Sequence, residues 1–146
     1  MERFREKSQG PILRKASELF NRITCGSFEG LRAEQGPDGH PVLVGVRQQG
    51  KEAVAVEGMS DGTADQLFLS LRLAGLDHYL DANEPMPFIV DDILIKFDDA
   101  RAAAALQALA ELSGRTQVIF FTHHRHLAEL ASRDLPGAVL IEHHLN

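Results

Sequence analysis

Met86-Pro87-Phe88-Ile89-Val90-Asp91-Asp92 runs from a proline-framed entry through three apolar residues to two adjacent acids. A short apolar run of this kind, rich in β-branched side chains, reads as a strand buried on both faces. Outward toward the C-terminus, Asp99 to Leu112 reads as an alanine-rich helix and Gln117 to Phe121 as a second buried strand leading into Thr122-His123. His124 to Ser132 then reads as a helix and Ala138 to Glu142 as a last strand. Alternation of buried strands with helices argues for an α/β fold whose parallel strands carry helices on their faces.

Toward the N-terminus the period changes. Leu67, Leu71, Ala74 and His78 share one helical face, with Phe68 and Gly75 beside it and Ser60 in the N-cap position, so a helix is predicted from Asp61 to Asp81. Before it, Phe28 to Glu34, Val42 to Val46 and Ala53 to Val56 are short strand-like runs. Gln35-Gly36-Pro37-Asp38-Gly39 and Gln48-Gln49-Gly50 separate them, which is the pattern of a short antiparallel meander. From Glu2 to Asn21 the chain is charged, with apolar Phe4, Ile12, Leu13, Ala16, Leu19 and Phe20, which predicts a helix interrupted near Gly10-Pro11.

Composition bounds the function classes. At 146 residues, with 44% hydrophobic and 25% charged residues, the chain suits a single core. A net charge of −6 and a pI near 5.6 leave no continuous basic surface for duplex phosphates, so any DNA is expected on another segment or partner. No apolar run approaches the ~20 residues that span a bilayer, and the charged start, Met1-Glu2-Arg3-Phe4-Arg5-Glu6-Lys7, has no signal core, so a cytoplasmic location without a membrane is expected. Cys25 is the single cysteine and is expected to be a buried or half-buried free thiol.

Three groups carry chemistry. Met59-Ser60-Asp61-Gly62-Thr63 opens the long helix, where free N–H groups and a partial positive charge suit an anion; plain capping by Ser60 is the alternative. Asp91-Asp92 stands at the carboxyl end of a strand, where ligands gather in open α/β sheets, and the pair repels itself unless a cation or solvent relieves it. Asp91 suits a hydrated Mg²⁺ and Asp92 a water, or the two form a solvated acidic turn. His123 ends the next strand at the same edge, in reach of a phosphate or attacking water, or as an ordinary surface histidine.

The order of these groups resembles the signature motif, Walker B, D-loop and switch histidine of ABC-type ATPases, with Asp98 closing the Walker B to D-loop segment. Met59 to Leu67 and Pro87 to Asp92 look like the SMC-like ATPases of the exonuclease-associated kind, most closely the YhaN-like group. Ile23-Thr24-Cys25-Gly26-Ser27-Phe28 is similar to the segment where the returning coiled coil re-enters the head. The resemblance implies the C-terminal half of an ABC/SMC-type ATPase head, a P-loop NTPase fold lacking its P-loop, over residues 23–146, after a coiled-coil stub over 1–22. It implies that Asp91 serves Mg²⁺, Asp92 the attacking water and His123 the γ-phosphate. Ser60, Asp61, Gly62 and Thr63 would face the ATP of the opposite head, and Asp98 the seam of a homodimer of heads. DNA repair or chromosome maintenance is the implied setting. Asp61 replaces the usual glycine, Asp92 the usual glutamate and Thr63 the usual glutamine or glutamate.

No G-x-x-x-x-G-K-[ST] occurs in the 146 residues, so no loop of this chain cradles phosphates in the Walker A manner. The resemblance places that loop in an N-terminal lobe, a partner supplied by the same protein or by a split one, and implies a piece of a longer polypeptide or a split-gene product. A non-catalytic interaction module that keeps an ATPase-lobe fold is the alternative. A small metal-dependent hydrolase built on Asp91, Asp92, His123 and His124 is a third reading. Calorimetry of the isolated chain with Mg-ATP should be nearly silent; micromolar affinity or steady turnover free of contaminating ATPase would overturn the split-site assignment.

Overall fold

The computed structural model describes residues 2–47, 49–137 and 139–145, with side chains described from residue 10 onward apart from those gaps. The chain divides into two compact units, residues 1–82 and 83–146.

In the first unit, helix α1 (Glu2–Ile23) is followed by strands β1 (Gly30–Gln35), β2 (Pro41–Arg47) and β3 (Glu52–Ala55), a short 3-10 turn (Val56–Gly58) and helix α2 (Asp61–Leu80). Contrary to the sequence expectation, α1 continues through Pro11. The residue before a proline resists the helical region mainly through its Cβ, and here that residue is Gly10. Ala16, Leu19, Phe20 and Ile23 recur at helical spacing and are all buried, forming the stripe that packs α1 against α2 and β1.

The three strands form an antiparallel sheet in the order β1-β2-β3, with Gly30 opposite Val46 and Val44 opposite Ala55. Pro41 is tolerated as the first residue of its strand. Ser17 ties the sheet to α1 by accepting a hydrogen bond from the Leu31 N–H at 2.9 Å. Gly45-Val46-Arg47 to Gly50-Lys51-Glu52 has the glycine and lysine spacing of a phosphate loop without its hydroxyl residue. Gly45 and Glu52, however, lie in two antiparallel neighbours, β2 and β3, so this stretch is a hairpin and not a strand-to-helix loop.

Helix α2 buries Thr63, Gln66, Leu67, Leu69, Ser70, Leu73 and Ala74. The buried face is therefore rotated from the expected one: Phe68 is exposed, and Leu71 and His78 are only half-buried. The helix carries apolar residues almost all round, so its periodicity fixes the helix but not the side that packs. Cys25 is exposed and takes a positive φ of 54° in the turn after α1, which corrects the expectation of a buried or half-buried thiol.

In the second unit, strand β4 (Phe88–Asp91), helix α3 (Asp99–Leu112), strand β5 (Val118–Phe121) and helix α4 (Arg125–Asp134) form a β-α-β-α run. The two strands pair in parallel, Phe88 opposite Val118 and Asp91 opposite Phe121. Helix α3 buries Ala102, Ala105, Leu106, Ala108, Leu109 and Leu112 and packs against α4 and β5. Buried Thr116 donates from its hydroxyl to the Met86 carbonyl, joining the entries of the two strands. The expected last strand is absent among the described residues 139–142, and Ala138 lies outside them. Val139 instead donates from its N–H to the Pro136 carbonyl, and Ile141 is 79% exposed, so the segment leaves in a turn without a neighbouring strand.

Two glycines give opposite expectations. A Cβ at Gly30 would lie 2.0 Å from Ser17 Oγ, whereas at Gly75, inside α2, it would meet nothing within 4 Å. Gly30→Ala should cost about 1–3 kcal/mol by breaking the Ser17 link, and Gly75→Ala should add about 0.5–1 kcal/mol. Urea denaturation of both variants checks the two signs.

Candidate functional site

The parallel register brings the acids and the histidine to one end of adjacent strands. Asp91, last in β4, faces Phe121, last in β5, and the Asp92 N–H donates to the Phe121 carbonyl at 2.9 Å. The ladder thus extends one residue past the strand. Asp92 then turns into the left-handed region at φ 48°, a conformation that aspartate and asparagine tolerate better than glutamate does.

From that turn the Asp92 carboxylate reaches across to the second strand. Its Oδ1 accepts from the His123 N–H at 3.3 Å, and its Oδ2 lies 3.7 Å from His123 Nε2. The Asp92 side chain is 20% exposed and the His123 side chain 90% exposed, so the carboxylate is held while the imidazole projects into solvent. The Thr122 hydroxyl accepts from the His124 N–H at 3.0 Å, closing the turn that leads into α4. Asp91 is exposed beside them.

Asp98 caps α3, its Oδ1 accepting from the Arg101 N–H at 2.9 Å. Its neighbour Asp99 pairs with His126 at 2.7 Å, linking the first turns of α3 and α4. This pair has no sequence signal, because 27 residues separate its members. Among the described residues no group of three or more His, Cys, Asp or Glu side chains is arranged to hold a metal ion. A hydrated Mg²⁺ needs fewer protein ligands than that when phosphates supply the rest.

Ser60 and its neighbours lie in the first unit. The Ser60 hydroxyl accepts from the Thr63 N–H at 3.2 Å and shares a 2.9 Å hydrogen bond with the Thr63 hydroxyl, while the Ser60 carbonyl accepts from the Ala64 N–H at 2.9 Å. Ser60 is the N-cap as expected, and Thr63 is buried beneath it. Capping and anion contact are compatible, since Ser60 itself stays exposed and the Asp61 and Gly62 N–H groups open the helix.

One face of the β4–β5 pair is open. Ile89, Asp91, Ile119 and Phe121 alternate onto the same side by the register; Ile89 is 56% and Phe121 44% exposed, while Val90 on the other side is buried.

No family model matches the chain. A structure from work on ATP-driven dimerization and DNA-stimulated activation of SMC ATPases superposes with a TM-score of 0.69 at 22% identity, covering 89% of this chain and 77% of that one. The chain has the fold of the C-terminal region of an SMC head. A second SMC head, bound to the C-winged helix domain of ScpA, gives 0.66 at 23% identity over 84% of this chain and 37% of its own. The Smc head of Pyrococcus furiosus, with an extended coiled coil, gives 0.64 at 21% identity, over 86% of this chain and 30% of its own. In sequence, the chain is 28% identical over 130 residues to the uncharacterized protein YhaN of Bacillus subtilis (strain 168). That alignment covers 88% of this chain and 13% of the relative's length. The mixed α/β architecture and the SMC-like resemblance read from the motifs agree with these likenesses. No described helix of the chain is long and apolar enough to cross a membrane.

The left-handed turn at Asp92 gives a test of local geometry. Asp92→Val should lose about 1–2 kcal/mol through its β-branched side chain at positive φ, while Asp92→Gly should keep backbone stability despite losing the carboxylate. Thermal melts of the two variants, compared with the parent, read the difference.

Proposed function

We propose that the chain is the C-terminal lobe of an SMC-like ATPase head that binds and hydrolyses ATP between two heads once a Walker A lobe is supplied. The observation that carries this reading is the parallel β4–β5 pair, which sets Asp91, Asp92 and His123 at one strand end while an apolar sheet face beside them stays open. Parallel strands are ordinarily covered on both faces. A lobe bearing the phosphate-binding loop would cover that face and supply the phosphate contacts that these 146 residues lack.

In this assignment Asp91 holds Mg²⁺ through water, and Asp92 positions or deprotonates the attacking water. His123 contacts the γ-phosphate, its backbone already fastened to Asp92. Ser60, Asp61, Gly62 and Thr63 present the start of α2 to the nucleotide of a facing head, and Asp98 shapes the seam. Residues 1–22 act as the stub of a coiled coil and 23–146 as the lobe. ATP joins the heads and hydrolysis releases them, in DNA repair or chromosome maintenance in the cytoplasm, with DNA held by other segments. The alternative is a non-catalytic module that uses the open face only to pair with a partner lobe or a second copy. Its distinguishing property is indifference to ATP after that lobe is added.

In a head completed with a Walker A lobe, Asp92→Asn should lower turnover roughly 10²- to 10⁴-fold, the range for loss of a general base. ATP binding should persist and paired heads accumulate. Asp91→Asn should weaken Mg-ATP binding, and Ser60→Arg should block pairing. Turnover of the Asp92 variant equal to the parent at saturating Mg-ATP would remove Asp92 from the mechanism and favour the non-catalytic module.

A further inference from the structure

Gly45 sits inside β2, opposite Leu31. A glycine within a strand weakens it and marks a close approach. Here a Cβ would meet Phe28 Cδ1 and Cε1 at 2.7 Å and Met59 Cε at 2.9 Å. The ring edge and the thioether methyl therefore converge on the space that glycine leaves vacant.

The two neighbours differ in freedom. Phe28 is 1% exposed and held from several directions. Its ring centroid is 4.9 Å from that of Phe20 on α1, its carbonyl accepts from Asn21 Nδ2 at 2.8 Å, and the Arg47 guanidinium lies 4.1 Å from the ring centroid. Met59 is half-buried on a flexible stem, and its N–H closes the 3-10 turn by donating to the Val56 carbonyl at 3.1 Å. Met59 is also the residue that precedes Ser60, from which α2 starts. Wherever the methionine seats, the cap of α2 must follow within one peptide unit.

We propose that Gly45 is a positioning residue for Ser60: the gap at Gly45 seats the Met59 side chain where the clamped Phe28 ring also closes in, and this seat fixes where the α2 N-terminus presents the Ser60 hydroxyl and the Asp61 and Gly62 N–H groups. The relevance to nucleotide rests on the assignment of Ser60 made above, whereas the seat itself does not. Neither Gly45 nor Phe28 belongs to any stretch whose chemistry would single it out.

The test uses the full chain and hydrogen exchange resolved by residue. Gly45→Ala fills the seat and Met59→Ala empties it. Each should speed exchange of the Thr63 and Ala64 N–H groups, which bond to Ser60, by roughly 5- to 10-fold, the size expected for a lost N-cap. Amides from Leu69 to Leu73, in the middle of α2, should keep the parent rate. Met59→Leu, which conserves volume, should restore the parent rate at both positions. If Gly45→Ala fails to fold, the two Met59 variants decide the matter. Unchanged exchange at Thr63 and Ala64, or equal acceleration along all of α2, would overturn the proposal. In heads completed with a Walker A lobe, ATP-driven pairing should fall in the two alanine variants and survive in Met59→Leu. Exchange that responds while pairing stays at the parent level would sink the assignment of Ser60 to nucleotide and leave the seat standing.

Discussion

The parallel pairing of β4 with β5 is the constraint on which the second unit depends. Its register makes the carboxyl ends of the strands coincide, because Phe88 meets Val118 and Asp91 meets Phe121. One further hydrogen bond, from the Asp92 N–H to the Phe121 carbonyl, carries the ladder beyond the strand and delivers the next residue to a turn. A slip of one residue would invert the faces of both strands. Val90 would leave the core, and Asp91 would point into it.

The first unit rests on different physics. There the chain depends on local tethers between helix and sheet: Ser17 to Leu31, Asn21 to Phe28, and the packing of Phe20 against Phe28. Thr24 adds to them, its buried hydroxyl donating to the Phe20 carbonyl and accepting from the Phe28 N–H. These contacts span short sequence separations, so the end of α1 and the start of the meander order one another without help from distant segments.

Much of this was legible in the sequence where period and punctuation agree. The meander was readable from short β-branched runs between Gly-rich breaks, and α3 from its alanine run capped by Asp98. The arrival of Asp91, Asp92 and His123 at one strand end followed from two apolar runs flanking a helix. Legibility failed where several principles compete. Gly10 admits a helix through Pro11 that composition alone would break. Phe68 and Leu67 look equivalent in a helix that is apolar all round, yet one is exposed and the other buried. Val139 to Glu142 has strand composition but no strand beside it. Nor does any local pattern reveal that Asp99 meets His126, or that Phe28 and Met59 converge at Gly45. Such encounters belong to tertiary structure and leave no spacing to read.

The exposed thiol of Cys25 has a practical consequence. It is the single cysteine of the chain and stands in the turn that ends α1, outside the core. A maleimide probe would therefore attach at one defined point without any prior mutagenesis. Placed there, a spin label or fluorophore would report the boundary between the long helix and the sheet. In a pair of copies, the same probe would turn the separation of two such boundaries into a spectroscopic ruler.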